Sequence, residues 1–304
     1  MISQRRENGI MILRLENDLL RVELAPALGG KFTSVYNKSL NKEFLWHNQS
    51  LPLKELEPGA DYDSNFWGGI DELLPNDIPE KIDGIDYPDH GELWTTALDH
   101  NVDKQQVILS GTLPKSRLFY QKTIRLEENL PQVKTNYTIR NLSGNARHFL
   151  WKLHAALQIT AGDRLETPAT TARIVYPGSS RFRVADEFGW PEIEGVDAAT
   201  VPSKSKTMDF FYLYNSPEGI MKMISGQGEH CFAYQYDQAV FPYQWYFASY
   251  GQFRDHYTAI LEPASAMPVS VNEAAGLGQC SVLEPGEEMN TSVTIYAGRV
   301  EGDK

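Results

Sequence analysis

Along most of the chain, hydrophobic and polar residues alternate with a period of two, which is the pattern of half-buried β-strands. Residues 133–140, Val-Lys-Thr-Asn-Tyr-Thr-Ile-Arg, show it, and residues 291–296 repeat it near the end. No apolar stripe runs over three helical turns. The same reasoning predicts further strands over residues 11–15, 19–24, 31–36, 107–111, 118–126, 148–159, 173–176, 210–214, 219–224, 231–236, 244–250 and 257–261.

Turn residues separate these strands roughly every ten positions, which is typical of an antiparallel sandwich or barrel. The sequence has no low-complexity tract or linker, so we expect one all-β domain over residues 1–304. Two long stretches, residues 48–95 and about 178–209, carry no predicted strand. Loops of that length in a compact fold are often functional, and the aromatic content of the first favours a site there.

The composition of the chain excludes some classes of binding partner. Lys and Arg number 28 against 40 Asp and Glu, a net charge of −12 that repels nucleic acid and anionic membranes. We find no apolar run long enough for a signal peptide or a membrane span, and only Cys231 and Cys280. We therefore expect a reduced, cytoplasmic protein, monomer or homodimer, that requires no metal or other cofactor.

Residues 65–94 carry the most suggestive side chains. Trp67, Asp71, Glu72, His90 and Trp94 stand there among glycines and prolines. Aromatic faces, carboxylates and imidazole on short turns suit a small polyhydroxylated ligand, and a sugar fits best. The carboxylates are equally consistent with turn caps, and the tryptophans with core residues.

Two further residues have a setting suited to proton transfer. His154 shares a strand face with Lys152, while Trp151 and Leu153 take the other; a core histidine with a satisfied hydrogen bond fits the same pattern. Glu262 ends an apolar strand that we expect Pro263 to terminate. Partial desolvation would raise its pKa toward neutrality, although an ordinary strand-end glutamate is the simpler interpretation.

Taken together, these segments resemble the galactose mutarotase-like superfamily, typified by aldose 1-epimerases. The resemblance is carried by Ala-Pro-Ala-Leu-Gly-Gly-Lys at 25–31, Trp-Gly-Gly-Ile-Asp-Glu-Leu-Leu-Pro at 67–75, Asp-His-Gly at 89–91, Leu-His at 153–154 and Glu-Pro at 262–263. It implies a large antiparallel β-supersandwich that binds a sugar in a cleft across one sheet. It also implies that Glu262 is the general base, that His154 protonates the ring oxygen, that His90 is the second histidine, and that Asp237 binds sugar.

The sequence departs from that family pattern in two places. The better-known members have an arginine a few residues after the His-Gly pair, whereas here Gly91 is followed by Glu-Leu-Trp-Thr. They also have an early Asn-Arg pair that contacts the sugar, and this sequence has none. Lys31 is a candidate cationic substitute, and Trp245 joins Trp67 and Trp94 as a stacking candidate. We expect a neutral or uronic sugar. Sugar phosphates are a subsidiary possibility that rests on four arginines with acidic neighbours: Arg164, Arg173, Arg181 and Arg183.

Two other classes of protein remain open. A noncatalytic carbohydrate-binding or sugar-sensing protein would use the same aromatic and acidic residues. A glycoside hydrolase needs two carboxyl groups roughly 5 to 9.5 Å apart, and Asp71, Glu72 or Glu92 are candidates to partner Glu262. The chain leaves no room for the helical domain that accompanies this fold in polysaccharide lyases.

Overall fold

The computed structural model describes residues 1–183 and 187–300, so residues 184–186 of the second long stretch and 301–304 of the predicted domain lie outside it. The first strands are β1 Ile2–Glu7, β2 Ile10–Glu16, β3 Leu20–Ala25, β4 Lys31–Asn37, β5 Lys42–Glu43, β6 Ile70–Leu73, β7 Glu80–Ile82, β8 Ile85–Tyr87, β9 Asp99–Asp103, β10 Gln106–Thr112, β11 Leu118–Leu126, β12 Gln132–Asn141 and β13 Arg147–Phe149. The later strands are β14 Lys152–Gln158, β15 Arg164–Glu166, β16 Thr171–Ile174, β17 Glu187–Gly189, β18 Glu192–Ile193, β19 Val196–Asp197, β20 Met208–Tyr214, β21 Ile220–Ile224, β22 His230–Tyr236, β23 Tyr243–Tyr250, β24 Tyr257–Ala264, β25 Ser281–Leu283 and β26 Glu288–Arg299.

Helical structure is limited to four short elements among the described residues. They are the α-helices α1 Tyr62–Asn65 and α2 Val271–Gly276 and 3-10 turns at Pro26–Leu28 and Leu93–Thr95. Each α-helix begins with a side-chain cap, because Asp61 accepts from the Ser64 amide and Ser270 from the Glu273 amide. None of the helices in this part of the chain has the length and hydrophobicity to cross a bilayer.

Two large antiparallel sheets dominate the described chain. One has twelve strands in the order β1-β2-β3-β4-β6-β14-β24-β23-β20-β16-β17, with β5 attached to β4. The other has eight, in the order β15-β21-β22-β26-β12-β11-β10-β9. The predicted all-β antiparallel sandwich is therefore confirmed.

The main core lies between these sheets. Along β14, Leu153, Ala155 and Leu157 point into it, and from the smaller sheet Tyr120 and Ile295 meet them. Because side chains alternate along a strand, the intervening residues of β14 face the other side of the large sheet. That outer face carries separate buried clusters and the candidate site.

The first long stretch contains a strand that the sequence did not predict. All four residues of β6, Ile-Asp-Glu-Leu, are buried, and β7 and β8 form a small hairpin farther on. The expectation that Asp71 and Glu72 sit on a turn was wrong. The alternation is hidden because both faces of β6 are covered: Lys31 pairs with Asp71 on one face and Lys122 with Glu72 on the other.

Three boundaries also differ from the predictions. β24 does not stop at Pro263 but continues to Ala264, with Pro263 opposite Gln244. A proline interrupts a ladder only where its missing N–H was needed, and here the pairing persists on both sides.

Residues 148–159 form two strands, since β13 leaves the large sheet to pair with β25. Short strands β17, β18 and β19 occupy part of the second long stretch.

Candidate functional site

A pocket of about 370 Å³ opens on the outer face of the large sheet, over β14 and β24 at its centre. His90, His154 and Glu262, remote from one another in sequence, all line it. His154 and Glu262 come from the floor. His90 comes from the turn that follows β8, above the floor.

Strand register explains why the floor residues meet. His154 of β14 lies opposite Asp71 of β6. On the other side, Lys152 pairs with Ala264 and Ala155 with Leu261, so Glu262 faces His154 across the β14–β24 ladder. The adjacent row is apolar and contains Ala156, Ile260, Phe247 and Phe210. A polar row therefore runs beside an apolar one, which matches the hydroxyl and C–H surfaces of a pyranose.

Lys152 is an ion-pair centre that the sequence reasoning did not select. Its Nζ lies 2.6 Å from Asp77 Oδ1 and 2.6 Å from Glu262 Oε2, and all three side chains are buried. The ammonium also lies 4.4 Å from the centre of the Trp245 ring. The signal was present in the sequence, because Lys152 is two residues before His154 on the same strand face.

The carboxyl group of Glu262 is poised for proton exchange near neutrality. Burial raises the pKa of Glu262 to about 7, an effect that Lys152 partly offsets. Burial alone would raise the pKa of Asp77, but attraction to Lys152 and to His90 outweighs that effect, and the pKa of Asp77 is lowered. The two carboxyl groups that share one ammonium therefore differ in protonation, with Asp77 ionised and Glu262 near its midpoint at pH 7.

The pKa of His154 is not near 7, which is the value expected of a group that both gives and takes protons at neutral pH. Burial, reinforced by the charge of Lys152, lowers the pKa of His154 well below its ordinary value. The imidazole of His154 is therefore neutral at pH 7. Its Nδ1 lies 3.3 Å from the hydroxyl of Tyr62, whose phenol pKa burial raises well above normal.

His90 forms a wall of the pocket. It has a left-handed backbone, with φ of 57°, and its amide donates to the Asp77 carbonyl at 2.7 Å. The imidazole stacks on Tyr62 with 3.9 Å between ring centres and 9° between planes. Its Nδ1 is 3.0 Å from Asp89 Oδ2 and its Nε2 is 3.8 Å from Asp77 Oδ1. The charged neighbours and the stacked tyrosine fix the ring over the floor.

The aromatic lining differs from the predicted tryptophans. Phe66, Phe247, Phe253 and Tyr176 line the pocket, and Trp67, Trp94 and Trp245 do not. Trp245 is fully buried beneath Lys152 and donates its Nε1–H to the Ala266 carbonyl at 3.1 Å. Strand parity could have identified Phe247, which lies two residues from Trp245 and opposite Ile260.

Lys31, Trp67, Asp71 and Trp94 lie together, but outside the pocket. They line a smaller cavity that is separated from the first by Tyr62, a residue common to both. Lys31 Nζ donates to Asp71 Oδ2 at 2.9 Å and to the Gly68 carbonyl at 2.9 Å. These residues line the smaller cavity and not the pocket itself.

Glu72 and Asp237 point elsewhere, so their predicted contact with sugar is corrected. Glu72 faces the core between the sheets, where Lys122, Tyr137 and Tyr120 all donate to its carboxylate. Its position next to Asp71 on a strand puts it on the opposite face. Asp237 is exposed after β22 and accepts the Ala239 amide of its own turn.

The other charged candidates are engaged away from the pocket. Glu92 is buried and accepts the amides of Lys115 and Ser116. The arginines proposed for phosphate lie outside the pocket, with Arg164 paired to Asp197 and Arg181 to Asp209. Within residues 1–183 and 187–300, no cluster of His, Cys, Asp and Glu is arranged to hold a metal ion.

Comparison with solved structures identifies the fold. A Klebsiella pneumoniae protein provisionally described as an aldose 1-epimerase matches with a TM-score of 0.74 and 14% identity, over 97% of this chain and 83% of that one. A galactose mutarotase-like protein from Clostridium acetobutylicum matches with a TM-score of 0.71 and 13% identity, over 98% of both chains. A galactose mutarotase related enzyme from Lactobacillus acidophilus gives 0.67 and 13%, over 95% and 98%.

Sequence comparisons give no corresponding result. No family model matches the chain, and no curated protein matches it. At these identities the structural likeness establishes the fold alone.

Proposed function

We propose that this protein, whose chain has the galactose mutarotase-like fold, is an aldose 1-epimerase that interconverts the α and β anomers of a free sugar. One observation carries the proposal: Glu262, His154 and His90 line a single pocket at the centre of the large sheet. The fold neighbours, which include proteins provisionally described as aldose 1-epimerases, support it.

The chemistry requires two proton transfers in opposite directions. The C1 hydroxyl loses its proton while the ring oxygen gains one, and the bond between C1 and the ring oxygen breaks. Rotation about C1–C2 and closure from the other face reverse both transfers. The pair formed by Glu262 and His154 must therefore hold one shared proton at the start, on either residue.

The charge of the pocket points to an uncharged aldose. Asp63, Asp77, Asp89 and Glu262 line it, and among the described lining residues Lys152 is the one permanently cationic side chain. Lys152 is already paired with two of the carboxyl groups. Asp63 and Asp89, both partly exposed, line the same pocket, where they would repel a carboxylate or phosphate on the sugar. Uronic acids and sugar phosphates are thus disfavoured relative to neutral sugars.

The alternatives differ in what they require. A hydrolase needs a second carboxyl group beside Glu262, and the three acids that the sequence suggested for it, Asp71, Glu72 and Glu92, are all engaged outside the pocket. Asp77 is the nearer acid, and it is held by Lys152. A binding-only protein would use the same pocket without accelerating anomer exchange.

Polarimetry on purified protein with freshly dissolved pure anomers of neutral aldoses tests the proposal. Wild-type protein should accelerate mutarotation, and Glu262→Gln and His154→Ala should each lose about 10²- to 10⁴-fold, the usual value of one proton-transfer group. Glu72→Gln is a matched control, because it makes the same change at a buried glutamate that faces the core between the sheets and not the pocket. Full activity in the Glu262 or His154 variant would eliminate the proposed mechanism.

A further inference from the structure

A chain of four side chains leads from the smaller cavity to His154. Lys31 Nζ lies 2.9 Å from Asp71 Oδ2, and the Tyr62 hydroxyl lies 2.9 Å from the same oxygen. The hydroxyl is also 3.3 Å from His154 Nδ1. All four residues are buried, with relative exposures of 7% for Lys31, 2% for Asp71, 4% for Tyr62 and 4% for His154.

The donors and acceptors in this chain allow only one consistent direction. An Asp71 carboxylate ion-paired with Lys31 can accept hydrogen bonds but has no proton to donate. Tyr62 has a single hydroxyl proton, and the carboxylate is its stronger acceptor, so that proton points to Asp71. The Tyr62 oxygen is then left to accept from Nδ1–H of His154.

We propose that Tyr62 is a positioning residue that holds His154 as the Nδ1–H tautomer, leaving Nε2 unprotonated toward the pocket. A neutral imidazole carries one ring proton, so fixing it on Nδ1 makes Nε2 an acceptor. The contact of the ring with Tyr62 is made by Nδ1, and His154 lines the pocket, so Nε2 is the nitrogen left for a sugar hydroxyl.

For the proposed epimerase reaction, on which this step rests, the tautomer assigns the first transfer. Nε2 of His154 takes the C1 hydroxyl proton, and the protonated carboxyl group of Glu262 gives its proton to the ring oxygen as the C1–ring oxygen bond breaks. An imidazolium and a carboxylate result. On closure the imidazolium returns its proton to the C1 oxygen and the carboxylate recovers its own. These starting roles are the reverse of those that the family resemblance implies.

The other face of β6 provides an internal comparison. There Lys122 Nζ lies 2.9 Å from Glu72 Oε1, and the Tyr137 hydroxyl donates to the same oxygen at 2.9 Å. Both strand faces thus carry a buried lysine, a carboxylate and a tyrosine. Only the group on the pocket face continues to a histidine. Tyr137→Phe is therefore a matched control for Tyr62→Phe.

The test is the ring-nitrogen NMR spectrum of ¹⁵N-histidine-labelled full-length protein at pH 7, with the His154 signals assigned by their loss in His154→Ala. Wild type and Tyr137→Phe should show a protonated Nδ1 and a bare Nε2. Tyr62→Phe keeps the ring that stacks on His90 and should lose this tautomer preference. Tyr62→Phe should also lower kcat about 10- to 100-fold with KM little changed. We take this magnitude from the loss seen when the hydrogen-bond partner that orients a histidine is removed in metal sites.

A protonated Nε2 in the wild type, or an unchanged tautomer in Tyr62→Phe, would overturn the inference. The NMR result does not depend on turnover. A protein with the predicted tautomer but no mutarotase activity would refute the proposed function while leaving the positioning role of Tyr62 intact.

Discussion

Replacing Lys152 by methionine should move the pH dependence of the reaction in a predictable direction. Methionine is unbranched and of similar length, so it can keep the contact with the Trp245 ring while removing the ammonium. Glu262 and Asp77 then lose the cation that lies 2.6 Å from each. Both carboxyl groups become harder to ionise, because a buried charge has lost its partner.

The magnitude follows from that geometry. The pKa of Glu262 is about 7 with Lys152 in place, since burial raises it and Lys152 pulls it back. An opposite charge at close range is worth about 1–3 pKa units, or about 1–4 kcal/mol. The Glu262 pKa should therefore rise by about 1–3 units in the variant.

Kinetics across pH reveals the shift. The active state needs one proton on the pair formed by Glu262 and His154. When Glu262 ionises and His154 is neutral, the pair has no such proton and is inactive. In the wild type kcat/KM should therefore fall as pH rises through about 7. In Lys152→Met the same fall should occur about 1–3 units higher.

Lys122→Met is the matched control, because Lys122 is a buried partner of Glu72 on the core face of the sheet. Circular dichroism must show that both variants are folded, as breaking a buried ion pair costs about 3–5 kcal/mol. An alkaline limb that stays in place in folded Lys152→Met would refute the assignment of that limb to Glu262.

Three further predictions follow from the same site. The Glu262 pKa of about 7 exceeds its ordinary value of 4.5, so the native state binds more protons and this group's contribution to stability is lost as pH rises from 4.5 through 7. In urea unfolding, the free energy of unfolding of Glu262→Gln should therefore rise by about 3 kcal/mol relative to that of wild type as the pH goes from 4.5 to 7. A difference that stays constant over this range would contradict the raised pKa. Mutarotation assays should favour a neutral aldose over its uronic acid or 6-phosphate, and Asp63→Asn with Asp89→Asn should narrow that gap; equal kcat/KM for all three sugars would contradict charge selection. Glu72→Gln should lower the free energy of unfolding by about 1–3 kcal/mol and leave KM unchanged, since Glu72 accepts three buried hydrogen bonds in the core, and an altered KM would place it in the site after all.

The strands with clear alternation were predictable from sequence, and so was the parity that places His154 on the face opposite Leu153. Residues 118–126 match β11 at both ends. A strand covered on both faces gives no such signal, which is why β6 was missed. Its buried acids look like turn residues until the paired lysines, from β4 and β11, are known.

The site was predictable only in part for a related reason. Glu262, His154 and His90 have recognisable local contexts, and the structure brings them to one pocket. Tyr62 begins the one-turn helix α1 and Asp77 lies in a loop, and neither element has a periodic pattern in the sequence. Their positions depend on tertiary contacts, such as the His90 amide bonded to the Asp77 carbonyl. The direction of the His154 pKa shift is set first by the burial of the imidazole, which the alternation of a half-buried strand does not report.

The most direct test of anomer interconversion by Glu262 is exchange NMR on a neutral aldose already at anomeric equilibrium. No net reaction occurs there, so cross-peaks between α and β C1 protons report interconversion itself, which neither binding nor hydrolysis produces. Wild-type protein should raise the exchange rate far above that of buffer, and Glu262→Gln should lower the enzymatic rate by at least about 100-fold. An exchange rate no higher than buffer with wild-type protein across neutral hexoses and pentoses, or one that is equal in the two proteins, would contradict the proposed function.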